Sequence, residues 1–256
     1  MGVASAFKKI LNFLVPNKKQ PGMTSAVIVA GGSSTRLGGN STKQLLELCG
    51  KPVVVHTLLA FENTPEIDEI IVVAKQDEVG LYEEFKKNYG INKLKKVVVG
   101  GDTRQASAAK GFAVISEKSR YVAIHDAARC LVTPKEISEV CAAAYTYGAA
   151  SAVAEVSDTV KLATDSGFIE KTLDRNKIWM AQTPQIFESD LYRAAVAVCT
   201  RDGIAVTDDN SMIEYIERPV KLVKCSKNNV KITTPEDVAQ VRSILKRRLK
   251  DGEGEK

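Results

Sequence analysis

Three short segments combine glycines, cations and a carboxylate in patterns that suit phosphate chemistry. The first is Ala30-Gly31-Gly32-Ser33-Ser34-Thr35-Arg36-Leu37-Gly38-Gly39. Its glycines let backbone N–H groups approach a phosphate closely, and Arg36, with Lys43 just downstream, can neutralise charge there. It matches neither G-x-G-x-x-G nor G-x-x-x-x-G-K-S/T, which counts against a nicotinamide-dependent dehydrogenase and a P-loop ATPase. The second is Gly100-Gly101-Asp102-Thr103-Arg104-Gln105-Ala106-Ser107. The third, Ala123-Ile124-His125-Asp126-Ala127-Ala128-Arg129, supplies a carboxylate of the kind that suits Mg2+ and a guanidinium whose planar fork suits phosphate. Each segment also has a plainer reading. The first fits a flexible strand-to-helix turn, Asp102 fits a helix N-cap, Asp126 and Arg129 fit an ion pair, and His125 fits a buried histidine bonded to backbone.

For these segments to act together, neighbouring strands must deliver them to one rim of a sheet. The apolar runs Ala26–Ala30, Glu69–Ala74, Lys96–Val99, Tyr121–His125, Ala150–Glu155 and Val220–Lys224 predict strands buried on both faces. Between them, Pro52–Glu62, Gln76–Asn88, Thr103–Ser116, Lys135–Tyr147, Ser189–Arg201 and Pro235–Arg247 predict helices. The last has Thr234 as N-cap, Pro235 at the first helical position and Asp237 three residues after the cap. The fold class that follows is α/β, a single doubly wound, mostly parallel sheet. Both glycine loops then lie beyond the carboxyl ends of strands, where open parallel sheets bind ligands. Ser157–Leu162 and Phe168–Leu173 flank the turn cluster Asp165-Ser166-Gly167, which predicts an inserted β-hairpin arm over about residues 156–175.

The 256 residues are 44% hydrophobic and 26% charged, ordinary globular usage that excludes disordered, collagen-like and low-complexity architectures. The formal charge of +5 belongs to the ends. Lys8, Lys9, Lys18 and Lys19 fall in an acid-free stretch, residues 1–22, and residues 246–256 hold five basic against three acidic side chains. The body between is left at −1, so no nucleic-acid partner is expected. Five cysteines without a CxxC pair, beside only His56 and His125, argue against a zinc cage or disulfide framework and for a reduced, cytoplasmic setting. No run of about 18 apolar residues suggests an integral membrane segment. Val3, Phe7, Ile10, Leu11 and Leu14 fall at helical spacing, so residues 1–22 read as an amphipathic, basic extension, either a loosely docked arm or a contact for a membrane surface or partner. Residues 23–247 then form the main domain and 248–256 a polar tail, with Met23 a possible alternative start.

The three segments continue into Asp158-Thr159-Val160-Lys161, Leu173-Asp174-Arg175-x-x-x-Trp179, Gln182-Thr183-Pro184-Gln185, Thr207-Asp208-Asp209 and Asn229-Val230-Lys231-Ile232-Thr233. In this order they resemble the 2-C-methyl-D-erythritol 4-phosphate cytidylyltransferases of non-mevalonate isoprenoid synthesis, within the Rossmann-like nucleotidyltransferases. The resemblance implies that CTP and methylerythritol phosphate join to give 4-diphosphocytidyl-2-C-methyl-D-erythritol and pyrophosphate. It implies that Ala30, Gly31, Gly32, Asp102 and Ser107 hold the nucleotide, and that Arg36, Lys43 and Lys231 are catalytic. Asp126 would organise Mg2+ or another divalent cation. Asp126, Arg129, Thr159, Arg175 and Lys231 would bind the sugar-alcohol phosphate, with Thr159 and Arg175 reaching across from the partner subunit of a homodimer joined through the arm. Three positions depart from the family pattern: Ser34 in place of a glycine, Thr42 in place of the proline before Lys43, and Cys130 in place of the proline after Arg129. A ribitol-5-phosphate cytidylyltransferase is the nearest rival, disfavoured by Ala128, Leu173 to Arg175 and Trp179. An inactive homologue serving as a binding module is disfavoured by the retention of Arg36, Lys43, Asp126 and Lys231.

Overall fold

Runs of β-branched residues and alanine, too apolar to face water on either side, build the centre of the molecule. The computed structural model describes residues 22–32 and 42–252. The predicted N-terminal extension before Gly22, and the loop segment with Ser34 and Arg36, lie outside the described residues. In order the elements are β1 (Thr24–Val29), a ribbon of β2 (Glu47–Leu48) and β3 (Lys51–Pro52), α1 (Val53–Glu62), β4 (Glu69–Ala74), α2 (Val79–Tyr89), β5 (Leu94–Val99), α3 (Arg104–Phe112) and β6 (Tyr121–Asp126). There follow α4 (Pro134–Tyr147), β7 (Ala149–Glu155), a hairpin of β8 (Lys161–Ala163) and β9 (Ile169–Thr172), β10 (Trp179–Glu188), α5 (Ser189–Arg201), α6 (Asp209–Tyr215), β11 (Lys221–Lys224) and α7 (Pro235–Lys250).

The seven-stranded sheet has the order β11-β7-β10-β6-β1-β4-β5. Its pairings are parallel except those of β10, which runs antiparallel to both β6 and β7. The α/β, mostly parallel reading therefore holds, with β10 as an addition. That strand escapes a search for apolar runs because Gln182, Thr183, Pro184 and Gln185 interrupt it, and a proline argues against a central strand. Here the pairing to β7 shifts between Ala181 and Gln185, around the cis Thr183–Pro184 bond. The short α6 is a second element beyond expectation; Asp208 caps it by accepting from the Ser211 N–H.

Apolar faces of α1, α2 and α4 pack on one side of the sheet, and those of α3, α5 and α6 on the other. A third cluster joins α7 to the loop after β6 through Ala128, Cys130, Leu131, Ile232, Val241 and Leu245. Cys130 thus fills a buried site in that loop. Helix α7 starts as expected, with a capping box between Thr234 and Asp237, and continues to Lys250, three residues beyond the predicted end. Strands β8 and β9 are exposed along their whole length, and Ile169 in β9, with Phe168 just before it, stands in solvent. Among the described residues no helix is long and apolar enough to cross a membrane.

Candidate active site

Strand β6 ends on Asp126, a nearly buried carboxylate met by three cations. Its Oδ1 accepts from Arg104 Nε at 2.8 Å and its Oδ2 from Lys231 Nζ at 2.8 Å, with Arg129 Nε 3.7 Å from Oδ2. Burial alone would raise the carboxyl's pKa, but Arg104 and Lys231 outweigh it and hold it well below the usual carboxylate range. Arg104, at the start of α3, also donates through Nη1 to Asp209 Oδ2 at 2.6 Å, and Asp209 Oδ1 accepts from the Tyr192 hydroxyl at 2.7 Å. Desolvation works against the Arg104 charge, and the two carboxylates more than restore it.

The loop after β6 is braced from behind. The Asp126 N–H donates to Thr183 Oγ1 at 3.1 Å, which leaves the threonine's own proton for His125 Nδ1 at 3.1 Å, and His125 Nε2 faces the Arg129 carbonyl at 3.3 Å. A carbonyl only accepts, so the tautomer that completes this chain carries its proton on Nε2. Burial pushes the His125 pKa down to about 3. The histidine is neutral with both nitrogens engaged, in agreement with its plainer structural reading. The segment with Lys231 is tied to the same loop: Ile232 N–H donates to the Ala128 carbonyl at 3.0 Å, and Arg129 Nη1 to the Asn229 carbonyl at 2.9 Å.

Asp126, Arg104 and Lys231 border a cleft of about 320 Å3 that is also lined by Gly31, Gly32, Lys43, Asp102 and Ser107, within the range of small-molecule sites. Its two glycine pairs differ physically. A Cβ on Gly100 would lie 2.9 Å from Ser107 Oγ, and one on Gly101 would lie 2.7 Å from Ala106 Cβ, so these glycines let the loop close on α3. Among the described residues, a Cβ on Gly31 or Gly32 would meet nothing nearer than 3.8 or 3.6 Å. Packing of the described residues therefore gives no reason for glycine at those two positions, and their bare faces leave room in the cleft.

Of the expected site residues, Gly31, Gly32, Lys43, Asp102, Ser107, Asp126 and Lys231 line one hollow, with Arg129 against Asp126. Ala30 is buried and its N–H donates to the Val73 carbonyl at 2.7 Å, which removes that amide from ligand binding. Thr103, not Asp102, caps α3, accepting from the Ala106 N–H at 3.0 Å. Thr159 and Arg175 are not part of the cluster: both are exposed, and Arg175 donates to the Ser157 carbonyl at 3.1 Å beside a second hollow lined by Glu155, Trp179 and Lys227. Arg36 lies outside the described residues.

The metal role expected of Asp126 does not fit these surroundings. Both its oxygens are taken by cationic donors, and the described residues contain no cluster of three His, Cys, Asp or Glu side chains suited to a metal ion. A divalent ion there would have to displace Lys231 or Arg104 and would face the remaining positive charges. Arg104, Thr183, Asp209 and Asn229 join the site without a role having been expected of any of them. Their signal was present as polar residues with no place in an apolar strand or helix face, namely Gln182 to Gln185 and Thr207 to Asp209.

The geometry can be set beside known proteins. Residues 24–247 match the family described as 2-C-methyl-D-erythritol 4-phosphate cytidylyltransferase. A protein of that name from Caldanaerobacter subterraneus subsp. tengcongensis is 42% identical over 225 residues, covering 87% of this chain and 99% of its own. One from Desulforamulus reducens is 41% identical over 224 residues, covering 87% and 96%. Among solved structures, the 4-diphosphocytidyl-2C-methyl-D-erythritol synthase of Anaerococcus prevotii has a TM-score of 0.81 at 28% identity, covering 90% of this chain and 99% of that one. The cytidylyltransferase of Thermus thermophilus has a TM-score of 0.70 at 27% identity, covering 87% and 98%.

Proposed function

The chain belongs to the 2-C-methyl-D-erythritol 4-phosphate cytidylyltransferase family and joins CTP to 2-C-methyl-D-erythritol 4-phosphate, releasing pyrophosphate; on that premise we propose how its residues divide the reaction. An oxygen of the methylerythritol phosphate attacks the α-phosphorus of CTP, and the bond to pyrophosphate breaks in line. A phosphate monoester, with a second pKa of about 6, is already largely dianionic at neutral pH, so no general base is required. Neutral His125 is a brace and exchanges no proton. Catalysis reduces to bringing two polyanions together and stabilising charge on the transferring group.

Gly31, Gly32, Asp102 and Ser107 receive the nucleotide, and Lys43, with Arg36 from the preceding loop, stabilises the triphosphate as it breaks. Arg129 and Lys231 take the acceptor phosphate, and Asp126 holds them in register through its carboxylate. The observation that carries this division is the convergence of Arg104, Arg129 and Lys231 on Asp126 beside two glycines that packing among the described residues does not require. Arg104, which borders the same cleft, has a buried Nη2 with no hydrogen-bond partner among the described residues, and an anionic substrate is a natural acceptor for it. Mg2+ or another divalent ion belongs to the triphosphate as part of the substrate, since Asp126 is already neutralised. The exposed arm, with Phe168 and Ile169, supports a homodimer in which Thr159 and Arg175 serve the partner's cleft. The five free cysteines support a reducing cytoplasm.

Pyrophosphate release tests the reading. Wild-type protein should release it with CTP and methylerythritol phosphate far faster than with CTP and ribitol 5-phosphate; equal rates would overturn the acceptor assignment. Asp126→Asn should raise KM for the acceptor while the Mg2+ concentration giving half-maximal rate stays put. A large rise in that concentration would return the metal to Asp126.

A further inference from the structure

Among the described residues, different kinds of bond hold the chain on the two sides of Lys43. Downstream, backbone bonds fix the chain: the Leu45 N–H donates to the Thr42 carbonyl at 2.9 Å and the Val54 N–H to the Gln44 carbonyl at 2.9 Å. Upstream, the described tether is a side chain. Thr42 is 6% exposed, and its hydroxyl donates at 2.7 Å to Oε1 of Glu78, itself only 4% exposed. Glu78 ends the single helical turn Gln76–Glu78, which follows directly on β4, a strand buried throughout. The anchor for Thr42 therefore sits where the chain leaves the buried strand β4 and enters α2.

The arrangement is expensive as a mere packing contact. The second carboxylate oxygen of Glu78 is buried with no hydrogen-bond partner among the described residues, as is the neighbouring Tyr82 hydroxyl. A buried carboxylate with one neutral donor is poor for stability, and apolar residues of similar volume commonly serve as well or better. What the pair does supply is direction, because a buried hydroxyl bonded to a carboxyl oxygen fixes the residue immediately before Lys43.

We propose that Thr42 and Glu78 are a positioning pair that sets Lys43 against the triphosphate of CTP. This rests on the reading of Lys43 as a catalytic cation. The pair touches no substrate; it acts through Lys43, restricting where the ammonium can sit when charge develops on the departing pyrophosphate. Misplacement of such a group by about 1 Å can lower a rate by about a hundredfold.

The test uses the full chain and steady-state pyrophosphate release, with CTP affinity measured separately by equilibrium binding. Thr42→Val keeps the shape and removes the hydroxyl; Glu78→Met keeps the length and removes the acceptor. Each should lower kcat about tenfold or more, with KM for the acceptor unchanged and CTP still bound. Thr42→Ser, which restores a hydroxyl, should recover most of the rate. On a Lys43→Ala background, Thr42→Val should cause no further loss, because the group it positions is gone. Unchanged kcat in Thr42→Val, failure of Thr42→Ser to recover the rate, or an equal further loss on Lys43→Ala would each overturn the proposal. Should Glu78→Met fail to fold, the Val, Ser and Lys43→Ala comparisons decide it alone. Unchanged kcat in Lys43→Ala itself is a distinguishable failure, since it removes the catalytic reading of Lys43 and the pair's purpose with it.

Discussion

His125 illustrates how a residue that looks reactive becomes inert through its neighbours. Fully buried against Phe61 and bonded at both nitrogens, it has its pKa pushed down to about 3 by burial. Once unfolded, the same imidazole returns to a value of about 6.5. Between these two values the unfolded chain binds a proton that the folded one does not. Stability is therefore whole above about pH 6.5 and falls as pH drops through the window, by up to about 1.4 kcal/mol per pH unit. Denaturant titrations between about pH 4.5 and 7, inside that window, should show this slope reduced in His125→Gln; an identical slope would deny the histidine its part. At this scale the sequence was informative about Asp126 and Arg129, which are three residues apart on one loop. It was uninformative about Arg104 and Asp209, whose ion pair spans 105 positions. No local pattern marks such a partnership, and only the fold brings the two together.

Elements show a similar division. Strands made of unbroken apolar runs and helices with good caps were legible, because burial and local hydrogen bonding both act over a few residues. Strand β10 was not, since its polar centre, Gln182 to Gln185, serves the cleft and the α6 cap instead of the core: Gln185 accepts from the Asp209 N–H at 2.9 Å and donates to Asp208 at 2.8 Å. Helix α3 depends on a single small residue. A Cβ on Gly111 would lie 2.6 Å from Val73 Cγ2 and press on Val27 Cγ1, both in fully buried strand residues. Alanine would improve helix propensity by about 1 kcal/mol, but stiff β-branched neighbours cannot yield, and overpacking by about 1–3 kcal/mol should win. Gly111→Ala should lower the urea midpoint, and KM should rise as the start of α3 carries Arg104 away from Asp126. A midpoint at or above wild type would show that the sheet accommodates the methyl.

For the whole molecule, the hairpin arm was readable from its turn cluster, while a use for it in a homodimer came only from the family resemblance, because an exposed strand pair within one chain carries no mark of a partner. Leu162, Phe168, Ile169 and Met180 leave apolar area in solvent, and Arg175 stands away from the Asp126 cluster. If each cleft is completed by its neighbour's arm, two crippled proteins should repair one another. Mixing Lys43→Ala with Arg175→Ala under conditions of subunit exchange should restore part of the wild-type turnover; no recovery after proven exchange would mean each chain works alone. The cation cluster has one more outcome for the molecule as a solute. Around Asp126, the charges of Arg104, Arg129 and Lys231 are partly answered from within, Asp209 included. Chloride or acetate, singly charged, therefore offers those side chains little that they do not already have, whereas a doubly charged phosphate monoester attracts them about twice as strongly. The internal carboxylates thus favour dianions over singly charged ones.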